Sequence, residues 1–220
     1  MPRIARVVVP EFPHHIIQRG NRRQRVFFNE DDYSQYLKLL NSYSHRFKVD
    51  ILAYCLMPNH IHLIATPHED GSLAQAIGET HRNYTRFINF REKWRGYLWQ
   101  GRFSSYVLDE RYLLAAIRYI LLNPVKAGIV KKPWDYKWSS ARHHMTIDND
   151  SLVKDSLLKG IIKNWQDFLD LALNDDEVRL FQLHERTGRP LGDNTFIEKL
   201  ESLLKINLKK KRAGRRKKEK

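Results

Sequence analysis

Two histidines one residue apart, His60 and His62, and a tyrosine followed four residues later by an asparagine, Tyr119 and Asn123, are the residues of this chain best placed to do chemistry. Side chains alternate across a strand, so His60 and His62 project from one face and can take neighbouring positions on a metal ion. Ile61, Leu63 and Ala65 then point the other way, toward packed helices. Tyr119 and Asn123 share one face of a helix. The asparagine carbonyl oxygen can join two imidazoles on a metal and leave positions open for a phosphate oxygen. Histidine nitrogen with amide oxygen suits Mg²⁺ or Mn²⁺, Mn²⁺ being the better match for imidazole. Zn²⁺ is the alternative, although a lone cysteine offers no thiolate site. A metal held there acts as a Lewis acid on a phosphate. A phenol, ordinarily of pKa ~10, needs such polarisation or a base before it attacks. A tyrosyl phosphoester keeps its bond energy for a second transfer, with neither ATP nor a hydrolytic water. Plainer explanations exist for each residue: two solvent-facing histidines, a half-buried tyrosine, an asparagine that ends a helix before Pro124. Tyr112, one heptad before Tyr119, competes as nucleophile but lacks an asparagine one turn later.

The elements that must position these residues are readable from period and punctuation. Residues 14–19 (HHIIQR) read as a strand ended by Gly20-Asn21. Asn29 caps a helix with Asp32 at its third position, and Tyr33, Tyr36, Leu37, Leu40, Tyr43 and Phe47 follow at helical spacing. Residues 49–56, apolar on both faces, read as a central strand, turned by Met57-Pro58-Asn59 into an antiparallel strand over 60–66. Ser72 and Gln75 predict a capping box for a helix to about Phe90. A strand over 103–108 and a helix over 110–122, capped by Asp109 and stopped before Pro124, complete the order β-α-β-β-α-β-α. Two β-α-β halves joined by a tight hairpin predict an α+β, ferredoxin-like antiparallel sheet with packed helices. Residues 134–144 close this domain, which spans 1–147. Helical segments 151–173, 175–186 and 194–204 predict a small docked extension over 148–204.

Charge is distributed unevenly. Residues 205–220 hold ten Lys/Arg against one Glu, while the other 204 residues hold 29 against 24. The tail therefore reads as disordered and as a sequence-blind polyanion contact through Lys210, Arg212 and Arg215. The rest, 42% hydrophobic and 11% aromatic, has the composition of a folded chain. Cys55 lies in an apolar run and reads as a buried, inert thiol. No apolar stretch approaches the ~18 residues of a membrane span, and residues 1–10 are too short in apolar run for a signal peptide. A cytoplasmic, nucleoid-associated protein with no membrane or ATP partner is expected.

Four stretches carry a resemblance. Residues 15–24 (HIIQRGNRRQ), 54–63 (YCLMPNHIHL), 98–103 (LWQGRF) and 118–128 (RYILLNPVKAG), with Trp138-Ser139-Ser140, resemble the single-tyrosine HUH transposases, specifically the bacterial REP-associated tyrosine transposases. The resemblance covers roughly residues 3–145, and residues 187–192 before a helix and a basic tail look like its longer members. It implies the HUH endonuclease fold, with His60 and His62 as metal ligands. Tyr119 would form a 5′-phosphotyrosyl bond and free a 3′-hydroxyl. Asn123 falls where relatives carry a polar third ligand, often glutamine, one methylene longer. The implied substrate is single-stranded hairpin DNA, repetitive extragenic palindromes, and the implied activity is DNA transposition or recombination.

Arg19, Asn21, Arg22, Arg23 and Arg25, crowded after the first strand, read as a phosphate clamp or as a solvated loop. His81, Arg82 and Arg86 on the second helix and Arg102 in the third motif are further candidate DNA contacts. Trp99, Phe103 and Tyr106 would stack bases or serve as core. His143, His144 and His68 read as surface histidines with an incidental metal site as the alternative. Rival functions are a non-catalytic hairpin-binding regulator on the same fold, a relaxase or replication initiator, and an RNA-binding domain; the last would show paired aromatics on an open sheet face instead of a histidine pair. A monomer is favoured, with the extension covering the surface that a swapped dimer would use.

Overall fold

The computed structural model describes residues 6–171 and 173–208; the tail positions Lys210, Arg212 and Arg215 lie outside them. Four strands, β1 (His14–Arg19), β2 (Val49–Met57), β3 (His60–Pro67) and β4 (Ser104–Val107), form one sheet in the order β2-β3-β1-β4. Every neighbouring pair is antiparallel. With α1 (Glu30–Arg46) between β1 and β2, and α2 (Ser72–Glu92) between β3 and β4, this is the ferredoxin-like α+β arrangement that the element order predicts. β2 and β3 are joined through Pro58-Asn59 alone, so the histidine strand begins directly at the hairpin.

Strand alternation divides the chain's chemistry between the two faces of the sheet. Ile16, Ile61, Leu63 and Ala65 pack against Tyr36 and Leu40 of α1 and Ile77, Tyr84 and Ile88 of α2. Ile64 and Tyr106 on the opposite face pack with Ile117 and Ile120 of α3 (Glu110–Leu121) and with Phe181. The register pairs Ile17 with His62 and Arg19 with His60, so both histidines lie on the α3 face.

Local signals account for most helix ends. Asn29 and Asp32 form a reciprocal capping box on α1, and the Asp109 carboxylate accepts from the Tyr112 amide at the start of α3. The start of α2 differs from expectation. Gly71, at φ 77°, is the cap, its carbonyl accepts from the Gln75 amide, and the Ser72 hydroxyl is buried without a partner. Glycine enters the left-handed region at little cost, so the helix starts one residue early and puts Ser72 too far along to cap. After α3 the chain opens a new turn, α4 (Asn123–Lys126), in which Pro124 sits where no amide donor is needed.

α5 (Ala141–His144) follows a segment laid beside β2, where the Leu56 amide donates to the Trp138 carbonyl. Residues 151–173 form no single helix. They divide into α6 (Ser156–Ile161) and α7 (Trp165–Asp170), because the Asn164 side chain accepts from the Gln166 and Asp167 amides and starts a helix of its own. α8 (Asp175–Thr187) ends at Gly188, φ 69°, and α9 (Asn194–Leu204) follows. The loop between them runs beside β4, the Leu191 amide donating to Val107 and the Asp109 amide to Leu191. Leu200 of α9 is buried with Val7, Val9 and Val107. No helix among the described residues is long and apolar enough to cross a membrane.

Candidate active site

The His60 and His62 rings lie 5.0 Å apart between centroids. Each has its Nδ1 occupied by a fixed neighbour. His60 Nδ1 is 2.6 Å from the Asn59 side-chain oxygen, which can only accept, so His60 Nδ1 carries the proton and Nε2 keeps its lone pair. His62 Nδ1 is 2.8 Å from His15 Nε2, and His15 Nδ1 is 2.6 Å from the Tyr106 hydroxyl. This chain of three has two consistent proton arrangements. When His62 donates to His15 and His15 to Tyr106, His62 Nε2 is left free as a ligand.

All three imidazoles are neutral at neutral pH. Burial, with Arg19 adding to it, pushes His15 and His60 down to about 3, and burial, then the neighbouring histidines and Arg19, holds His62 well below the ordinary value. Neutral, oriented imidazoles with open Nε2 positions fit a divalent metal.

Tyr119 projects from α3 onto this group. Its ring centroid lies 5.8 Å from that of His62 and 6.2 Å from that of His15. The residue is only 6% exposed, because α8 lays Phe181 on it at 5.1 Å. Burial raises the phenol pKa, the Glu185 charge adds to the rise, and Arg19 opposes it. Lys126 Nζ stands 5.7 Å from the centroid of the Tyr119 ring, a cation beside the candidate nucleophile. Tyr112, half-buried near the start of α3, has Arg111 against its ring.

A second contribution from α8 is Glu185. One carboxylate oxygen is 3.5 Å from Arg19 Nη2 and the other is buried without a partner. Burial raises this carboxyl to about 7 against the pull of Arg19. His15, His62 and Glu185 each bring a ligand atom within 4.8 Å of the others. Asn123 opens α4 one turn after Tyr119, its amide nitrogen buried without a partner. The acidic oxygen gathered with His15 and His62 is thus from Glu185, which sequence reasoning missed along with Phe181 and the supporting roles of His15 and Tyr106.

The basic candidates separate. Arg19 and Arg102 line a groove with Gln18, Gln100, Ser104 and Glu185. Asn21 and Arg22 line a neighbouring groove, and Arg23, exposed in the same turn, accepts from the Asn59 side chain at its carbonyl. Arg82 and Arg86 are exposed on α2, the helix packed on the opposite sheet face, and Arg82 pairs with Glu79; the structure does not bring them to the histidines. His81 is buried, bonded to the Tyr36 hydroxyl at 3.0 Å and stacked on Trp99 at 4.6 Å, so it lines no groove. Trp99, Phe103 and Tyr106 are core residues rather than exposed stacking surfaces. Cys55 is buried, and burial raises its thiol pKa. His144 is no surface histidine: it is buried beside Trp165, while His143 reaches Asp155 at 3.2 Å. His68 bridges Glu11 and Asp50.

Residues 8–123 match the family described as Transposase IS200 like. A provisionally named REP-associated tyrosine transposase of Haemophilus influenzae is 33% identical over 102 residues, covering 41% of this chain and 58% of that protein. The REP-associated tyrosine transposase of Escherichia coli K12 is 28% identical over 92 residues, covering 41% of this chain and 53% of that protein. The matches therefore span little more than half the length of these relatives. A solved structure of a REP-associated tyrosine transposase bound to a REP hairpin covers 70% of this chain and 98% of its own, at a TM-score of 0.58 and 19% identity, a likeness of fold.

Proposed function

The chain belongs to the family Transposase IS200 like, and on that premise we propose that it nicks and rejoins single-stranded hairpin DNA through a covalent Tyr119 intermediate. The observation that carries this reading is the approach of the Tyr119 ring to 5.8 Å from His62, beside two imidazoles whose Nδ1 atoms are occupied. Tyr119 Oη would attack the scissile phosphorus as the bond from phosphorus to the 3′-oxygen breaks. The phenol loses its proton and the leaving 3′-oxygen gains one, so the step is proton-neutral. The 5′-phosphotyrosyl ester is then open to attack by a 3′-hydroxyl, which restores a DNA strand and the phenol.

His60 and His62 would hold Mg²⁺ or Mn²⁺ through Nε2. Asn123 is the oxygen donor suggested by helical spacing, and Glu185 the one suggested by proximity to His62. When bound, the cation would polarise the scissile phosphate. Lys126 would stabilise charge developing at the phenol oxygen, and the Tyr106–His15–His62 chain would hold the ligand ring in place.

Arg19, Asn21, Arg22, Arg23 and Arg102 would contact phosphates on the groove side of the sheet, and Lys210, Arg212 and Arg215 would add sequence-blind attraction. Two relatives carry REP in their names, and a structural neighbour is a REP-associated tyrosine transposase bound to a REP hairpin, which supports repetitive palindromic hairpins as substrate. We read residues 148–204 as an extension docked on the 1–147 domain and the working unit as a monomer, since α8 contributes Phe181 and Glu185 to the site of its own chain.

The burial of Tyr119 beneath Phe181 favours a second reading, a non-catalytic hairpin-binding regulator. Labelled hairpins incubated with the full chain and Mn²⁺ or Mg²⁺, run on a denaturing gel, separate the two. The transferase reading expects a metal-dependent protein–DNA adduct that Tyr119→Phe and His60→Ala both abolish. Hairpin binding without an adduct under either metal establishes the regulator, and an adduct surviving Tyr119→Phe moves the nucleophile to Tyr112.

A further inference from the structure

The aromatic residues that the structure exposes are not those buried beside the sheet but a group a few residues earlier. At the end of α2 and in the loop after it, Phe90 is 90% exposed, Trp94 46% and Tyr97 86%. Large apolar side chains in water are costly, and three within eight residues mark a surface that something covers. Cations are interleaved with them: Lys93 and Arg95 lie in the loop, and Arg22 and Arg23 in the facing turn. These four form no ion pair among the described residues.

The loop and the turn are fixed to each other. The Asn21 amide donates to the Leu98 carbonyl at 2.8 Å, and the Asn89 side chain donates to the Gly96 carbonyl at 3.0 Å. The Trp94 ring rests edge-on against Phe28 at 5.6 Å. Between them runs a groove lined by Asn21, Arg22, Gln24, Trp94, Arg95 and Tyr97.

We infer that this groove is a second contact for single-stranded DNA, in which Trp94 and Tyr97 stack on unpaired bases while Arg22 and Arg95 hold the flanking phosphates. The inference rests on the reading of the chain as a hairpin-DNA enzyme. Unpaired nucleotides combine what the surface offers, flat apolar faces for the rings and regularly spaced negative charge for the cations. An acidic protein would match the cations but leave the exposed rings without flat partners. The position is also apt. Arg19 pairs with His60, the Gln100 amide donates to the Arg19 carbonyl, and Gly20 bridges to Trp99, so the groove begins where β1 leaves the histidines. The turn Asn21–Arg23, which carries Arg22 of the groove, follows β1 with only Gly20 between them. A strand with its phosphate at the histidines would thus lay the neighbouring unpaired bases on Trp94 and Tyr97.

Affinity measured in the Tyr119→Phe background tests this without requiring cleavage, so an inactive enzyme and an absent stacking site give different results. The probes are one DNA hairpin with a six-nucleotide single-stranded extension on either side in turn, and the same hairpin blunt-ended. Trp94→Ala and Tyr97→Ala should each weaken binding of one extended form by about 5- to 150-fold, the range for one base–aromatic stack. The blunt hairpin should lose less than about two-fold, and Trp94 fluorescence should be quenched only by the extended form. Equal losses on blunt and extended hairpins, or no loss on either, would overturn the inference. So would an RNA extension of the same sequence binding ten-fold more tightly than the DNA.

Discussion

Two regions meet at the end of β1, and they invert the usual placement of residue types. On the α3 face, polar and ionisable groups (His15, His62, Glu185) and the Tyr119 ring are enclosed by Phe181 and the sheet. Beyond Gly20, apolar rings stand in water among unpaired cations. Burial of the first group costs desolvation, offset by the Tyr106–His15–His62 and Arg19–Glu185 contacts, and it yields neutral imidazoles held in place by hydrogen bonds. Exposure of the second group costs hydration of apolar surface and leaves those side chains ready for a partner. In the proposed reading the enclosed region serves the chemistry and the open one the grip. Substitutions in the first should therefore disturb both folding and reaction, and substitutions in the second binding alone.

Phe181→Ala gives the largest contrast. The side chain is fully buried among Tyr119, His15 and α3 residues, so its removal should cost about 3–5 kcal/mol of stability. The same change uncovers Tyr119, so at a temperature where the variant is still folded the adduct should form faster than in the parent chain. Urea unfolding and a single-turnover adduct assay on one preparation check both. A stability loss with a slower adduct would mean that α8 forms part of the working site and is not a cover over it. Tyr97→Ala, at a ring already in water, should leave the urea midpoint unchanged.

How much of this contrast can be read from residues alone follows from how local each cause is. His60 and His62 are legible because strand alternation places them on one face whatever the rest of the chain does, and Tyr119 with Asn123 because four residues make a helical turn. His15 is not, because only the antiparallel register of β1 on β3 brings it within 2.8 Å of His62, 47 residues away. Glu185 and Phe181 are a turn apart on α8, a faint local signal, but nothing in that helix says which surface it docks on. The stacking residues show the same limit at close range. Trp99 and Tyr97 are two residues apart in one loop, and the bridge from Gly20 to Trp99 turns one ring into the core and leaves the other outside.

His15→Gln should have a smaller effect, confined to the enclosed region. Glutamine keeps a hydrogen-bonding group near His62 but not a ring that reaches Tyr106, so the proton arrangement that frees His62 Nε2 loses its support. Loss of such a supporting contact typically costs about 10- to 100-fold in metal affinity. Mn²⁺ titration followed by electron paramagnetic resonance would show it, and unchanged affinity would remove His15 from the site. Trp94→Ala should leave Mn²⁺ affinity as it is.

The smallest expected difference between variant and parent is in pH dependence, and it too separates the regions. His15 and His60 sit at about 3 in the folded chain, and His62 well below its ordinary value, against 6.5 when unfolded, burial being the main cause for each. The folded state therefore binds fewer protons than the unfolded chain below pH 6.5. The associated stability is fully present above 6.5 and is lost as pH falls toward the folded values. Each such histidine contributes a slope of up to about 1.4 kcal/mol per pH unit. Glu185 acts in the opposite sense: its carboxyl, raised from 4.5 to about 7 by burial, contributes stability present below 4.5 and lost as pH rises through about 7. Urea midpoints should therefore fall between pH 6.5 and 5, with a slope of several protons, since His14, His81 and His144 are lowered by burial as well. His15→Gln should reduce that slope by about one proton, while Arg22→Gln and Tyr97→Ala should leave it alone. An unchanged slope in His15→Gln would mean that its imidazole is hydrated and charged in the folded chain, and the proton chain to His62 would go with it.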